Sequence, residues 1–181
     1  GAKWLNGTTN DASYKYVPFE GTLDGDGHAV SALYAADANA TGLIPTLNGG
    51  EVKNLHIRNS YAGSTTAAGL IVGEYKSGTI DGCSVDLSST SGNVFVGAGS
   101  ATVTNSIAVV DGTATYYDEN GAVINGEPEG ELYDGTNIET AKWYKGPDGV
   151  YRDMQFAKAR TIADVDGDGA VTDYYTVSDL T

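Results

Sequence analysis

The sequence predicts an all-β chain: a β-solenoid (β-helix) of about four irregular coils, a β-hairpin cap and a short acidic C-terminal appendage. Three observations lead there. The 181 residues include 25 glycines and are rich in Thr, Ser, Asn and Val, a composition of strands and turns. No stretch repeats apolar residues at i, i+3, i+4 and i+7 over helical length, and only Ile138–Tyr144 and Asp153–Ala163 have room for a helical turn or two. The third observation is an internal repeat.

The repeat is six residues long. Val30-Ser31-Ala32-Leu33-Tyr34-Ala35, Val52-Lys53-Asn54-Leu55-His56-Ile57, Ile80-Asp81-Gly82-Cys83-Ser84-Val85 and Val103-Thr104-Asn105-Ser106-Ile107-Ala108 place apolar or small residues at positions one, four and six. Position three is Ala, Asn, Gly and Asn, which predicts a tight corner, because Asn and Gly tolerate positive φ. The units start 22, 28 and 23 residues apart, a solenoid spacing. One such unit is too short to bury its apolar face and must stack on its neighbours. Leu55 is then expected to stack on Cys83 and Ile57 on Val85, with Asn54 and Asn105 at corners. Gly42-Leu43-Ile44, Gly69-Leu70-Ile71-Val72-Gly73 and Phe95-Val96-Gly97 read as the strand preceding each of three units.

The pattern changes after Val110. Thr113–Glu127 reads as a hairpin with Asn120-Gly121 at its turn, and Trp143–Tyr151 as a second with Pro147-Asp148-Gly149 at its tip. The expected organisation is repeats over 1–110, a β-rich cap over 111–160 that covers the open end of the stack, and a separate segment over 161–181.

Composition narrows the function. The balance of 24 acidic against 10 basic residues gives a formal charge of −14. Nucleic acid and anionic lipid are poor partners for such a chain, since both need Lys and Arg. Cys83 is the only cysteine, so no intramolecular disulfide or thiolate cluster forms. Its apolar-alternating setting predicts a small buried side chain, and no His neighbours it as a base. No run approaches the ~20 apolar residues of a membrane-spanning helix, and no signal peptide opens the sequence, so Gly1 reads as a cleavage scar. His28 and His56 fall at different repeat positions, with His56 expected to face solvent between inward Leu55 and Ile57. Asp24-Gly25-Asp26-Gly27 reads as a turn. The chain carries no G-x-S-x-G, H-E-x-x-H or P-loop and no recurring carboxylate pair, so no catalytic residue is assigned.

Phe19-Glu20-Gly21-Thr22-Leu23-Asp24-Gly25-Asp26-Gly27-His28-Ala29-Val30-Ser31-Ala32-Leu33 resembles the opening turn of bacterial GLUG-motif repeats. Gly42-Leu43-Ile44 with Gly49-Gly50-Glu51-Val52-Lys53-Asn54-Leu55, and Ala68–Gly73 with Gly78–Cys83, are similar to the family's next coils. The likeness spans about 17–110 and departs at Pro45, which stands where the family closes with glycine. It implies a β-helical architecture, a place in surface adhesins or as an accessory region of secreted bacterial enzymes, and no catalytic residue.

At the other end, Asp164-Val165-Asp166-Gly167-Asp168-Gly169-Ala170-Val171-Thr172 resembles a dockerin-type, EF-hand-like calcium loop. Calcium takes six to eight hard oxygens, and D-x-D-x-D-G converges three carboxylates around a glycine turn. By position Asp164, Asp166 and Asp168 are side-chain ligands, Ala170 offers its carbonyl and Thr172 ligates directly or through water. The twelfth position is Tyr175 instead of an acid, and Asp179 stands as the acid displaced by Asp173–Thr176. A solvated acidic tail is the alternative. Only one loop is present, so a cohesin-type partner is not expected.

Tyr116, Tyr117, Trp143, Tyr144 and Tyr151 fall together in the cap region. They read either as a ligand-binding cluster, since aromatic faces stack on sugar rings and anchor interfaces, or as the cap's own small core. The functional expectation is a noncatalytic, calcium-stabilised adhesin-like or spacer module of a secreted or cell-surface bacterial protein, with an extracellular glycan or protein as ligand. The alternative is a carbohydrate-binding or carbohydrate-active β-helix.

Overall fold

The computed structural model describes residues 17–110, 113–124, 126–146 and 149–155. The strands come in groups of three: β1 (Thr22–Asp24), β2 (Ala29–Ser31) and β3 (Tyr34–Asp37); then β4 (Ile44–Lys53), β5 (His56–Arg58) and β6 (Tyr61–Ser64); then β7 (Val72–Asp81), β8 (Ser84–Asp86) and β9 (Ser89–Thr90). β10 (Val96–Ala98), β11 (Val103–Thr104) and β12 (Ile107–Val110) follow. The chain is all-β, and its first member of each group joins one parallel sheet, its second another and its third another. The orders are β1-β4-β7-β10 with β11 also on β7, β2-β5-β8-β12, and β3-β6-β9.

Register puts like on like. Leu23, Val52, Ile80 and Val103 occupy one column, and Val30, Ile57, Val85 and Ala108 another. These columns, with Leu43, Ile44, Leu47, Leu55, Leu70, Ile71, Val72, Cys83 and Phe95, form one apolar core. The expected pairing of Ile57 with Val85 is present. The first unit is out of register with the expectation: Val30 lies on Ile57, not on Val52, whose place is taken by Leu23. The cause is the loop Gly25–His28, which joins β1 to β2 with four residues where Asn54 and Leu55 suffice one group later. Asp26 and Gly27 turn it at positive φ, and Gly25 presses so close that a Cβ there would lie 2.5 Å from the Asn54 carbonyl oxygen.

The corners at position three of the later units are left-handed, as expected: Asn54, Gly82 and Asn105 have φ between 47° and 57°. Ala32 is left-handed as well, but it belongs with Asn59 and Leu87 to a second set of corners, between the second and third strands of each group. A serine follows three of these corners and makes the same two bonds each time. Ser60 Oγ donates to the Arg58 carbonyl and accepts the Leu33 N–H. Ser88 Oγ donates to the Asp86 carbonyl and accepts the Ser60 N–H. Ser106 Oγ donates to the Thr104 carbonyl and accepts the Cys83 N–H. Each hydroxyl thus satisfies a carbonyl of its own corner and an amide of the strand group before it, groups that a tight turn would otherwise orphan. Cys83, after Gly82, fills the same slot: its sulfur lies 3.4 Å from the Asp81 carbonyl, and the Leu55 backbone bonds to it.

The two expected hairpins are present. β13 (Thr113–Tyr117) pairs antiparallel with both β12 and β14 (Val123–Ile124), and Gly121 turns it at φ 78°. β15 (Trp143–Lys145) pairs antiparallel with β16 (Tyr151–Asp153). β13 and β14 extend one sheet beyond β12, and the later hairpin lies against the outer face of the β2-β5-β8-β12 sheet. Ile107 and Val109 of that face pack with Trp143, Val150 and Tyr151. His56 on this sheet is only 8% exposed instead of facing solvent.

Burial pushes the Cys83 thiol up to about 12, despite the Leu55 hydrogen bond that opposes it. Cys83→Ser keeps both partners of the slot, so at neutral pH the variant stays within about 1 kcal/mol of the parent. The raised thiol contributes stability that is intact below about pH 9 and is lost as pH climbs toward about 12. The parent therefore weakens relative to the serine variant across that window. Denaturant melts of both proteins at neutral and alkaline pH check this, and a difference that does not change with pH refutes it.

Candidate functional site

The sequence-predicted calcium ligands Asp164, Asp166, Asp168, Ala170, Thr172 and Asp179 lie outside the described residues. Among the described residues, no three His, Cys, Asp or Glu side chains are grouped to hold a metal, and no helix is long and apolar enough to cross a membrane.

Three of the five cap aromatics, Tyr116, Trp143 and Tyr151, come together in one cluster, while Tyr144 packs with Ala141 and Met154 and Tyr117 packs against the main core. Tyr116, Trp143, Tyr144 and Tyr151 are buried, and Tyr117 is half-buried. Tyr116 meets the rings of Trp143 and Tyr151 edge-on at 6.0 and 6.3 Å, and Tyr117 meets Phe95 edge-on at 5.7 Å. Their polar ends are occupied as well. Trp143 Nε1 donates to the Glu129 carbonyl at 2.6 Å, the Tyr116 hydroxyl accepts the Tyr151 N–H at 3.1 Å, and the Tyr151 hydroxyl donates to Glu127 Oε1. This is the arrangement of a small core, with the ring faces turned inward.

Besides its packing on Ile107 and Val109, this core is tied to the sheet by an ion pair and a neutral hydrogen bond. Arg152 Nε donates to Asp86 Oδ2 at 3.3 Å, with the two side chains only 19% and 9% exposed. Gln155 Nε2 donates to the Gly82 carbonyl at 3.1 Å beside it. Asp86 is the outward residue of β8, so the pair bridges 66 residues of sequence that no local pattern connects.

The outer face of the first sheet gathers charge. Lys53 Nζ lies 3.2 Å from Glu51 and 3.9 Å from Asp24. Asp24 also accepts Nδ2 of Asn54 at 3.1 Å, and Asp81 accepts Nδ2 of Asn105 at 2.8 Å and the Thr104 hydroxyl. The Asp26 amide and then Asn54 hold the Asp24 carboxyl below its usual range. The same acid-to-corner-asparagine bond recurs two groups apart, so these carboxylates anchor corners. The Asp24–Gly27 turn reading accordingly holds. His28 Nδ1 sits 3.0 Å from the Gly25 carbonyl, inside that same turn.

One exposed aromatic feature escaped the sequence reading. Tyr34 and Tyr61 are partners in the β3-β6 ladder, and their rings lie nearly parallel, 26° apart, with centroids 5.4 Å apart. Tyr34 is 65% exposed. Each tyrosine stands two residues after a left-handed corner, Ala32 and Asn59 respectively. That shared offset is the signal, and the misplaced first unit hid it.

Breaking the ionic clamp gives a direct test. Asp86→Ala removes both the ion pair to Arg152 and the acceptor of the Leu87 N–H and costs about 2 kcal/mol. Hydrogen exchange should show protection lost first in β15 and β16, with β5 and β7 retained; unchanged exchange in the hairpin counts against the clamp. Neither a family model, nor a curated protein, nor a solved structure matches this chain.

Proposed function

We propose that this chain is a β-solenoid module of a secreted or cell-surface bacterial protein, acting noncatalytically as a spacer and binding surface, with a calcium-stabilised C-terminal segment. The observation that carries the reading is the in-register parallel stacking on three sheets, with Leu23, Val52, Ile80 and Val103 in one apolar column. A stack of this kind adds strand groups without changing its cross-section and presents long flat faces outward, which suits display and spacing. The acidic surface, with a charge of −14, suits a calcium-containing extracellular medium. The GLUG-like residues of 17–110 point the same way. A second reading, glycan binding, is favoured by the exposed Tyr34–Tyr61 pair.

Unit deletion tests the architecture. Removing the 28 residues 52–79 lets Ile80 take the place of its ladder partner Val52. In a solenoid the shortened chain keeps a β-type circular dichroism spectrum and a cooperative, lower melting transition, because contacts run only between neighbouring groups. A closed sandwich would lose half of its core and unfold, and that outcome refutes the reading.

Calcium is tested separately. Titration of the chelated protein should show one site, abolished by Asp164→Asn with Asp166→Asn, since each charged oxygen contributes to affinity. Absence of heat above dilution in the parent removes the metal from the proposal.

A further inference from the structure

We propose that Tyr34 and Tyr61 form a stacking platform for the apolar face of a neutral pyranose ring. The proposal rests on the binding-module reading and names its ligand class.

Three features of the β3-β6-β9 sheet carry it. The first is the unusual exposure of a large ring: Tyr34 is 65% exposed although its partner ring lies alongside it. Aromatic side chains bury much of their area when a core is available, and the cap tyrosines do so in the same chain. Tyr34 and Tyr61 instead stack ring on ring at an outer face, leaving Tyr34 largely exposed, held by backbone pairing of Tyr34 to Tyr61, Ala35 to Ala62 and Ala36 to Gly63.

The second is that the ring of Tyr61 has a prepared seat. It folds over Gly63, two residues on, where a Cβ would fall 2.4 Å from the tyrosine hydroxyl oxygen and 2.8 Å from ring carbons. Glycine at this place lets the ring lie along the strand. Opposite it, Ala36 keeps the neighbouring floor low. The platform is therefore positioned before any ligand arrives, which lowers the entropic cost of binding.

The third is the absence of charge from the outward row of these strands. Its members are Tyr34, Ala36, Tyr61, Gly63 and Ser89. Asp37, the acid in β3, bonds the Asn39 backbone and side-chain amides through Oδ1. A nucleobase could stack here, but its phosphates would meet a strongly acidic chain with no cation in the row. A neutral sugar matches both parts: C–H groups for the rings, and hydroxyls for the tyrosine hydroxyls and Ser89, the next residue of the same column.

The experiment is isothermal titration of the full chain with four neutral oligosaccharides, cellohexaose, laminarihexaose, xylohexaose and mannohexaose, with tyrosine ring protons followed by NMR. At least one should bind with Kd below about 10 mM and shift the Tyr34 and Tyr61 ring signals. Tyr34→Ala, at an exposed position, should keep the parent's circular dichroism and melting transition while weakening that binding about tenfold. Gly63→Ala, which displaces the Tyr61 ring, should weaken it several-fold. No binding by any of the four sugars overturns the proposal, as does binding that Tyr34→Ala leaves unchanged. Either result leaves the solenoid reading standing, since that is decided by the 52–79 deletion; a deletion variant that unfolds removes the solenoid reading whatever the sugars do.

Discussion

Everything in this structure depends on the chain returning, group after group, to lay a strand parallel and in register on the strand before it. A three- or four-residue strand buries too little apolar area to persist alone. Stacked, Val52 lies between Leu23 and Ile80, and its backbone is paired on both sides. The requirement is strict because a slip of one residue along a strand exchanges inward for outward side chains. Such a slip would send Val52 and Ile80 to solvent and bring Lys53 and Asp81 inside.

The corners enforce that register. A short strand can change sheet within two residues only through a left-handed residue, and Asn54, Asn59, Gly82 and Asn105 take that conformation at low cost. Leu87 takes it without such help and is 61% exposed as well, two local costs that the surrounding ladder sustains. After the corner a Ser or Cys side chain returns to the carbonyl two residues back and receives an amide from the neighbouring group. Cys83 is therefore a corner residue with a sulfur in place of a hydroxyl. Its raised pKa follows from the same burial that makes the corner tight.

The faces of the stack meet different fates. One carries carboxylates that hold corner asparagines, with Lys53 among them. The second is covered by the later hairpin, clamped through Arg152 and Asp86 and packed by the cap aromatics. The third is uncharged in the outward row of its described strands and carries two stacked tyrosines, with Tyr34 65% exposed. Aromatic residues in one chain thus divide into those that build a core and those that remain available, and the division follows which face a later segment covers.

By itself the sequence determined the all-β class, the tight corners at Asn54, Gly82 and Asn105, the stacking of Ile57 on Val85, and both hairpins. These follow from local rules: positive φ needs Asn or Gly, alternation sets the inward side, and Asn-Gly marks a turn. The tertiary structure alone decided the rest. The register of the first group was hidden, because four loop residues replace two and only pairing reveals the offset. The burial of His56 is invisible locally, because alternation marks it as outward and nothing in a linear pattern shows that an outward strand face will be covered. Tyr34 and Tyr61 looked unrelated for the same reason. Two side chains 27 residues apart become neighbours only through the pairing of β3 with β6, and a linear pattern carries no record of which side faces out.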